Sequence, residues 1–274
     1  MTVEELIVYG KKHQHSDHAK IILAELLDIN VLELLNHLDD EVDSEKEHEY
    51  KNIIEDMSNG VPIQYALGYV NFYGNKLYVN KNVLIPRFET EELVEKTVEY
   101  INKYFSTPVD IIDLGCGSGA IGLTLEKKVS TKTVDLIDIS KAALEVTHKN
   151  CGNLKSKANL IQSDMFENVE KKYDIIISNP PYIRINEEIE EIVKNNEPHL
   201  ALYAGEDGLD CYRKILSTVE PHMKDKCIIA FEIGMNQAED ISKIAHKYLS
   251  DIKIEVKKDL SEKDRMLFIF KNCE

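Results

Sequence analysis

The tetrapeptide Asn179-Pro180-Pro181-Tyr182 directly follows an apolar run, Tyr173 to Ser178. Its residue types suit the handling of a nitrogen that must attack a methyl group. An amide or amino nitrogen is a poor nucleophile because its lone pair is delocalised. The side-chain oxygen of Asn179 and the carbonyl of Pro180 can each accept one N–H from such a group. Two acceptors hold the nitrogen in line for attack and stabilise the positive charge that grows on it. The prolines stiffen the backbone and remove competing donors. The Tyr182 ring can cover a planar substrate group. This chemistry calls for no metal and no covalent nucleophile. Taken alone, the four residues also read as a rigid turn after a buried strand.

A second segment, Asp113-Leu114-Gly115-Cys116-Gly117-Ser118-Gly119-Ala120, passes from an apolar run through three glycines. Glycine lets the chain turn sharply from strand to helix and approach a ligand closely. The helix that follows aims its N-terminal amides at the same place. Asp138 lies nineteen residues beyond Gly119, at the end of the next strand, where an acid can accept from both ribose hydroxyls. The string also satisfies the looser Gly-x-Gly-x-x-Ala nicotinamide pattern, so a dehydrogenase stays open, as does an ordinary glycine turn. Asp113 before the loop and the Asn-Pro-Pro-Tyr segment favour S-adenosyl-L-methionine. In an open parallel sheet, ligands sit beyond the carboxyl ends of the strands. Asn179 is therefore expected beside the glycine loop, although sixty-four residues separate it from Gly115.

The elements that must position these groups fall into two kinds. Residues 1–68 read as helical. Thr2 and Glu5 make a capping box, and Ile21 to Leu27, Val31 to Leu35, and Tyr50, Ile53, Ile54 and Met57 carry helical apolar spacing. Tyr69–Tyr73 and Lys76–Val79, separated by Gly74-Asn75, read as a β-hairpin. A helix from about Thr90 to Tyr104 follows. The expected strands are Val109–Leu114, Thr133–Ile137, Ala158–Ile161, Asp174–Ser178, Cys227–Phe231, Ile252–Val256 and Met266–Phe270. With helices between most of them, they predict an α/β fold, a mainly parallel sheet covered on both faces. The expected organisation is a helical domain over 1–68, a hairpin linker over 69–86 and a catalytic domain over 87–274.

The chain has 274 residues, 43% hydrophobic and 30% charged, which is a globular balance. Its net charge of −16 argues against a partner held by phosphate neutralisation, so no direct nucleic-acid binding is expected. An adenine amino-group methyltransferase would share the chemistry, but no dense Lys/Arg stretch supplies its groove. No stretch approaches the roughly 20 apolar residues of a membrane helix, and the acidic start lacks a signal-peptide layout. Five scattered cysteines without a Cys-x-x-Cys pair point to a reduced, cytoplasmic setting. His13, His15 and His18 lack a carboxylate constellation and read as solvated surface. The Cys116 thiol has no partner base. The acidic run Asp39–Glu49 reads first as a solvated helix face and second as a surface that meets a basic face of the partner protein. A non-catalytic cofactor-binding module has no use for an amide clamp, so catalysis is the better reading.

At this point the chain resembles the PrmC/HemK family, the protein-(glutamine-N5) methyltransferases of peptide-chain release factors. The resemblance covers nearly the whole chain. Its carriers are Gln64 to Gly68, Leu84-Ile85-Pro86-Arg87-Phe88-Glu89-Thr90-Glu91, Asp113 to Gly119, Asp138-Ile139-Ser140, Ser163-Asp164-Met165-Phe166, Asn179 to Tyr182, Glu197-Pro198 with Ala201-Leu202, and Phe231-Glu232-Ile233-Gly234. The segment around Ile85-Pro86-Arg87 is the most family-specific. The Asn-Pro-Pro-Tyr motif alone is shared with adenine methyltransferases. The resemblance implies a Rossmann-like seven-stranded domain whose last strand is antiparallel, preceded by a small helical bundle. It implies methylation of the glutamine in the Gly-Gly-Gln loop of release factors, in support of translation termination. It implies that Asp113, Gly115, Cys116, Gly117, Ser118, Gly119, Asp138, Ile139, Asp164, Met165 and Asn179 meet the cofactor. Asn179, Pro180, Pro181 and Tyr182 are implied to take the glutamine, with Asn179, Pro180 and Tyr182 catalytic. Two positions depart from the family: Phe88 stands where proline is usual, and Met165 where an aromatic often lines the adenine pocket.

Overall fold

The computed structural model describes residues 1–13 and 15–273, and the chain divides into two compact units, Met1–Gly68 and Tyr69–Glu274. The first holds α1 (Val3–Lys12), α2 (Ser16–Leu27), α3 (Val31–Leu34), α4 (Ser44–Ser58) and α5 (Ile63–Leu67). The capping box forms: the Glu5 amide donates to Thr2 Oγ1 at 3.3 Å and the Thr2 amide to Glu5 Oε2 at 3.0 Å. Leu6, Ile22, Leu23, Leu34, Tyr50 and Ile54 are fully buried and form the centre of its core. The acidic run is only partly a helix face. Residues 39–43 lie in turn and extended backbone, where Glu41 bridges Thr2 and the Asp43 carboxylate caps α4. Asp competes for backbone donors at a helix start, which is why the helix begins after it.

The second unit begins with the hairpin, β1 (Tyr69–Phe72) and β2 (Asn75–Tyr78). Its turn falls at Tyr73-Gly74, with φ of 49° and 77°, one residue earlier than Gly74-Asn75. Tertiary hydrogen bonds shift it. Asn75 Nδ2 donates to Thr124 Oγ1 at 3.2 Å and its Oδ1 accepts from Lys127 Nζ at 2.9 Å, so Asn75 belongs to a strand. The hairpin is built into this unit, with Phe72 and Leu77 in its core. Then come α6 (Phe88–Tyr104), β3 (Val109–Leu114), α7 (Ala120–Lys128), β4 (Thr131–Asp138), α8 (Lys141–Leu154), β5 (Asn159–Gln162) and β6 (Tyr173–Ser178). The chain continues through α9 (Glu191–Asn196), α10 (Asp210–Thr218), β7 (Met223–Glu232), α11 (Ala238–Tyr248), β8 (Ile252–Lys258) and β9 (Asp264–Lys271).

The seven strands run in the order β5-β4-β3-β6-β7-β9-β8, and β9 is antiparallel to both its neighbours. Alternate residues feed opposite faces: Ile111, Ile175 and Ile177 enter one core, while Ile112, Leu114 and Ile176 enter the other. Burial on both faces explains why these strands read as near-continuous apolar runs. The strand order reverses between β3 and β6, which opens a crevice at their carboxyl ends. Among the described residues, no helix is long and apolar enough to cross a membrane.

Candidate active site

Both sequence motifs arrive at that crevice. Ser178 Oγ donates to the Leu114 carbonyl at 2.6 Å, which ties the end of β6 to the end of β3. Gly115, Gly117 and Gly119 all have positive φ, from 57° to 82°. A Cβ at Gly115 or Gly117 would meet nothing within 4 Å, so the loop leaves open space above it. At Gly119 a Cβ would lie 2.8 Å from Thr147 Cγ2 and 2.9 Å from Leu123 Cδ1, so that glycine serves packing of loop against helix. The Gly117 amide donates to Asp138 Oδ2 at 2.9 Å and the Ser140 amide to Oδ1 at 2.8 Å. Asn150 braces the loop from behind, donating to the carbonyls of Ser118 and Tyr78 at 2.9 Å each.

Two cavities adjoin here. The first, of about 270 Å³, is lined by Gly115, Cys116, Gly117 and Ser118 on one side. Asp138, Ile139, Asp164 and Met165 line it on another, and Asn179 and Pro181 close it. The second, of about 390 Å³, holds Pro180, Tyr182, Arg87, Glu188, Glu190 and Glu232, and Asn179 again. Asn179 thus stands in the wall between them. Asp113 and Gly119 line neither cavity. The Asp113 side chain turns under the loop, where Oδ2 accepts from the Gly122 amide of α7 at 2.9 Å and Oδ1 is buried without a partner. Phe88 lines neither cavity and is 62% exposed at the start of α6, so its departure from the family pattern leaves both cavities untouched. Met165 does face the first cavity, in left-handed backbone.

Burial sets the charges. It pushes the Asp113 carboxyl up to about 7 against the pull of the Gly122 amide. It also raises Asp138, opposed by the amides of Ser140, Gly117 and Ile139. The Cys116 thiol is pushed far up by burial and then by Asp113 and Asp138, so it stays a thiol. Asp164 at the rim is paired with Lys214 at 2.5 Å.

Several supporting residues were invisible as such in the sequence. Gln237, on the far side of β7, donates to the Tyr182 carbonyl at 3.0 Å and accepts from the Gly234 amide at 2.9 Å. Buried Glu197 pairs with Arg87 and accepts from the Ile85 amide at 3.1 Å, which pins the segment before α6. Thr90 donates to Glu232 Oε2 at 2.6 Å and accepts from Asn179 Nδ2 at 3.2 Å. The signal for Glu232 in the sequence is an acid at the end of an apolar strand.

Residues 92–201 match the family described as Methyltransferase small domain, and residues 11–68 match the PrmC N-terminal domain. The chain is 36% identical over 255 residues to the release factor glutamine methyltransferase of Bacillus cereus, covering 91% of this chain and 90% of that one. It is 38% identical over 241 residues to the protein of the same name from Bacillus subtilis, covering 85% and 84%. Among solved structures, a T. thermophilus 16S rRNA methyltransferase in complex with AdoMet and guanosine is similar with a TM-score of 0.55 at 16% identity. It covers 74% of this chain and 50% of that one, a likeness of fold.

Proposed function

The chain belongs to the release factor glutamine methyltransferase family, and on that premise we propose that it transfers a methyl group from S-adenosyl-L-methionine to a glutamine side-chain nitrogen. The target is the glutamine of the Gly-Gly-Gln motif of peptide-chain release factors, and the setting is the cytoplasm. The observation that carries this reading is the place of Asn179, between a cavity floored by a glycine loop and a cavity lined by Pro180 and Tyr182.

The first cavity fits the cofactor. Its loop has room above Gly115 and Gly117, an acid at Asp138, and apolar surface at Ile139, Met165 and Leu200 for an adenine. When bound, S-adenosyl-L-methionine supplies a methyl group made electrophilic by its sulfonium. Asp138 Oδ2 accepts the Gly117 amide and Oδ1 the Ser140 amide, and the carboxylate, with about four acceptor sites, keeps capacity for the ribose hydroxyls. In the second cavity the Asn179 oxygen and the Pro180 carbonyl accept the two N–H bonds of the target amide. Tyr182 covers the planar group and stays a neutral phenol, since burial pushes it up to about 12. Positioning and charge stabilisation then supply the rate.

Asp138→Ala is expected to weaken S-adenosyl-L-methionine binding by about 1.5–3 kcal/mol, the worth of a charge-assisted hydrogen bond. Calorimetry with that cofactor and with NAD side by side checks it. Unchanged affinity in a folded variant would remove Asp138 from the ribose site, and NAD binding would restore the dehydrogenase reading.

The unit Met1–Gly68 has its own core and carries neither the glycine loop nor the Asn-Pro-Pro-Tyr segment, so its role is to select the protein substrate. A chain starting at Tyr69 is expected to bind the cofactor normally and to methylate an intact release factor poorly. Equal activity of the shortened and full chains on that substrate would overturn the role.

A further inference from the structure

The carboxamide of an asparagine has two nearly identical ends, and only one suits the reaction. The oxygen must face the target nitrogen, because an NH2 there would oppose its N–H bonds. Asn179 is joined to a buried carboxyl through one hydroxyl. Asn179 Nδ2 donates to Thr90 Oγ1 at 3.2 Å, and Thr90 Oγ1 donates to Glu232 Oε2 at 2.6 Å. Thr90 and Glu232 are 3% and 2% exposed, so water does not compete for these bonds.

We propose that Glu232, acting through the Thr90 hydroxyl, fixes the direction in which the Asn179 carboxamide points and so keeps its oxygen toward the target amide. The inference rests on the reading of Asn179 as an amide clamp. An ionised carboxylate only accepts, and Thr90 has a single hydroxyl proton. That proton goes to Glu232. The Thr90 oxygen can then only accept, so Asn179 must turn its NH2 toward Thr90 and its oxygen the other way. Glu232 and Thr90 are positioning residues.

One proton reverses the chain. Protonated Glu232 donates to Thr90, whose hydroxyl then donates to Asn179 and draws the carboxamide oxygen away from the target. Burial pushes the Glu232 carboxyl up to about 7, opposed by Thr90 and by Arg265 of β9. Glu89 adds a like charge from α6, Arg87 an opposite one, and Tyr182 and Tyr212 are the phenols that face it. The raised value means that Glu232 is protonated below about 7 and ionised above it. Transfer is therefore lost as pH falls through that point and is complete above it.

The test is single-turnover transfer to release factor across about pH 6 to 9, with cofactor affinity measured on every variant as a check of folding. With cofactor saturating, the full chain should show an ionisation near 7 that Glu232→Gln removes; Asp113, also pushed up to about 7, lines neither cavity. Glu232→Gln, whose carboxamide has no fixed polarity, and Thr90→Val, which lacks the hydroxyl, should each be slower by about 10-fold at high pH. Both should lose the ionisation, and Thr90→Ser should keep rate and ionisation. Thr90→Val with the rate and pH profile of the unmodified chain would overturn the proposal. A second readout needs no substrate. The ¹⁵N resonance of the Asn179 side chain, identified by its loss in Asn179→Ala, should shift with the same ionisation and stand still in Glu232→Gln. Its failure to titrate would refute the relay. Failure of the unmodified chain to methylate release factor at any pH would instead refute the methylation reading and leave the resonance test in force.

Discussion

Asn179→Ala is expected to slow single-turnover methyl transfer by roughly 10²-fold or more, the scale of losing one preorganised polar contact to a transition state. Cofactor affinity should change far less. Asn179 closes the first cavity, but its Nδ2 is held by Thr90, and the proposed clamp turns its oxygen to the substrate side. Asn179→Asp should be slow as well. It would offer Thr90 two carboxylates and only one proton to give. A carboxylate beside buried Glu232 also favours protonation of one of the pair. Rates with saturating cofactor and release factor check both variants. A near-normal rate for Asn179→Ala would leave Asn-Pro-Pro-Tyr as a structural turn.

Gly208→Ala is expected to have an effect of similar size from outside both cavities. Gly208 has a φ of 76°, which a side chain rarely adopts. A Cβ there would lie 2.3 Å from the Tyr182 carbonyl oxygen and 2.8 Å from Gln237 Nε2. Neither can yield cheaply, because the Gln237 amide donates to that same carbonyl at 3.0 Å. The substitution must move the backbone at Tyr182, two residues from the Pro180 carbonyl. Left-handed strain and overpacking together predict about 1–3 kcal/mol of lost stability, read as a lowered denaturation midpoint. Displacing an acceptor by a fraction of an ångström predicts a rate lower by about 10²-fold. Cofactor affinity should persist, because Gly208 and Tyr182 do not line the first cavity. A variant with unchanged rate and midpoint would show that this backbone relaxes freely.

What the sequence disclosed was whatever is written locally. Three glycines in register with a strand, a helix and Asp138 describe their own loop, and that loop forms. The central strands β3 and β6 announced themselves because burial on both faces leaves them largely apolar. Where tertiary contacts decide, local reading fails by small amounts. The hairpin turn moved one residue because Asn75 is drawn into α7 by Thr124 and Lys127. Asp113 looked like a cofactor ligand from its place before the loop. Its side chain turns under the loop instead, where the Gly122 amide is the nearest donor. The supports of the site were the least legible. Thr90 and Glu232 are 142 residues apart, and Asn179 and Thr90 are 89 apart, so no spacing rule joins them. Gln237 and Gly208 are ordinary loop residues until the fold sets them against the Tyr182 backbone.

The measurement that bears most directly on the central claim is transfer of labelled methyl from S-adenosyl-L-methionine to purified release factor, with DNA and RNA as parallel substrates. Proteolysis and mass mapping then locate the label. Label is expected on the release factor alone, confined to the glutamine of its Gly-Gly-Gln motif and nearly abolished by Asn179→Ala. Label on nucleic acid, or on the release factor at any other residue, would contradict it.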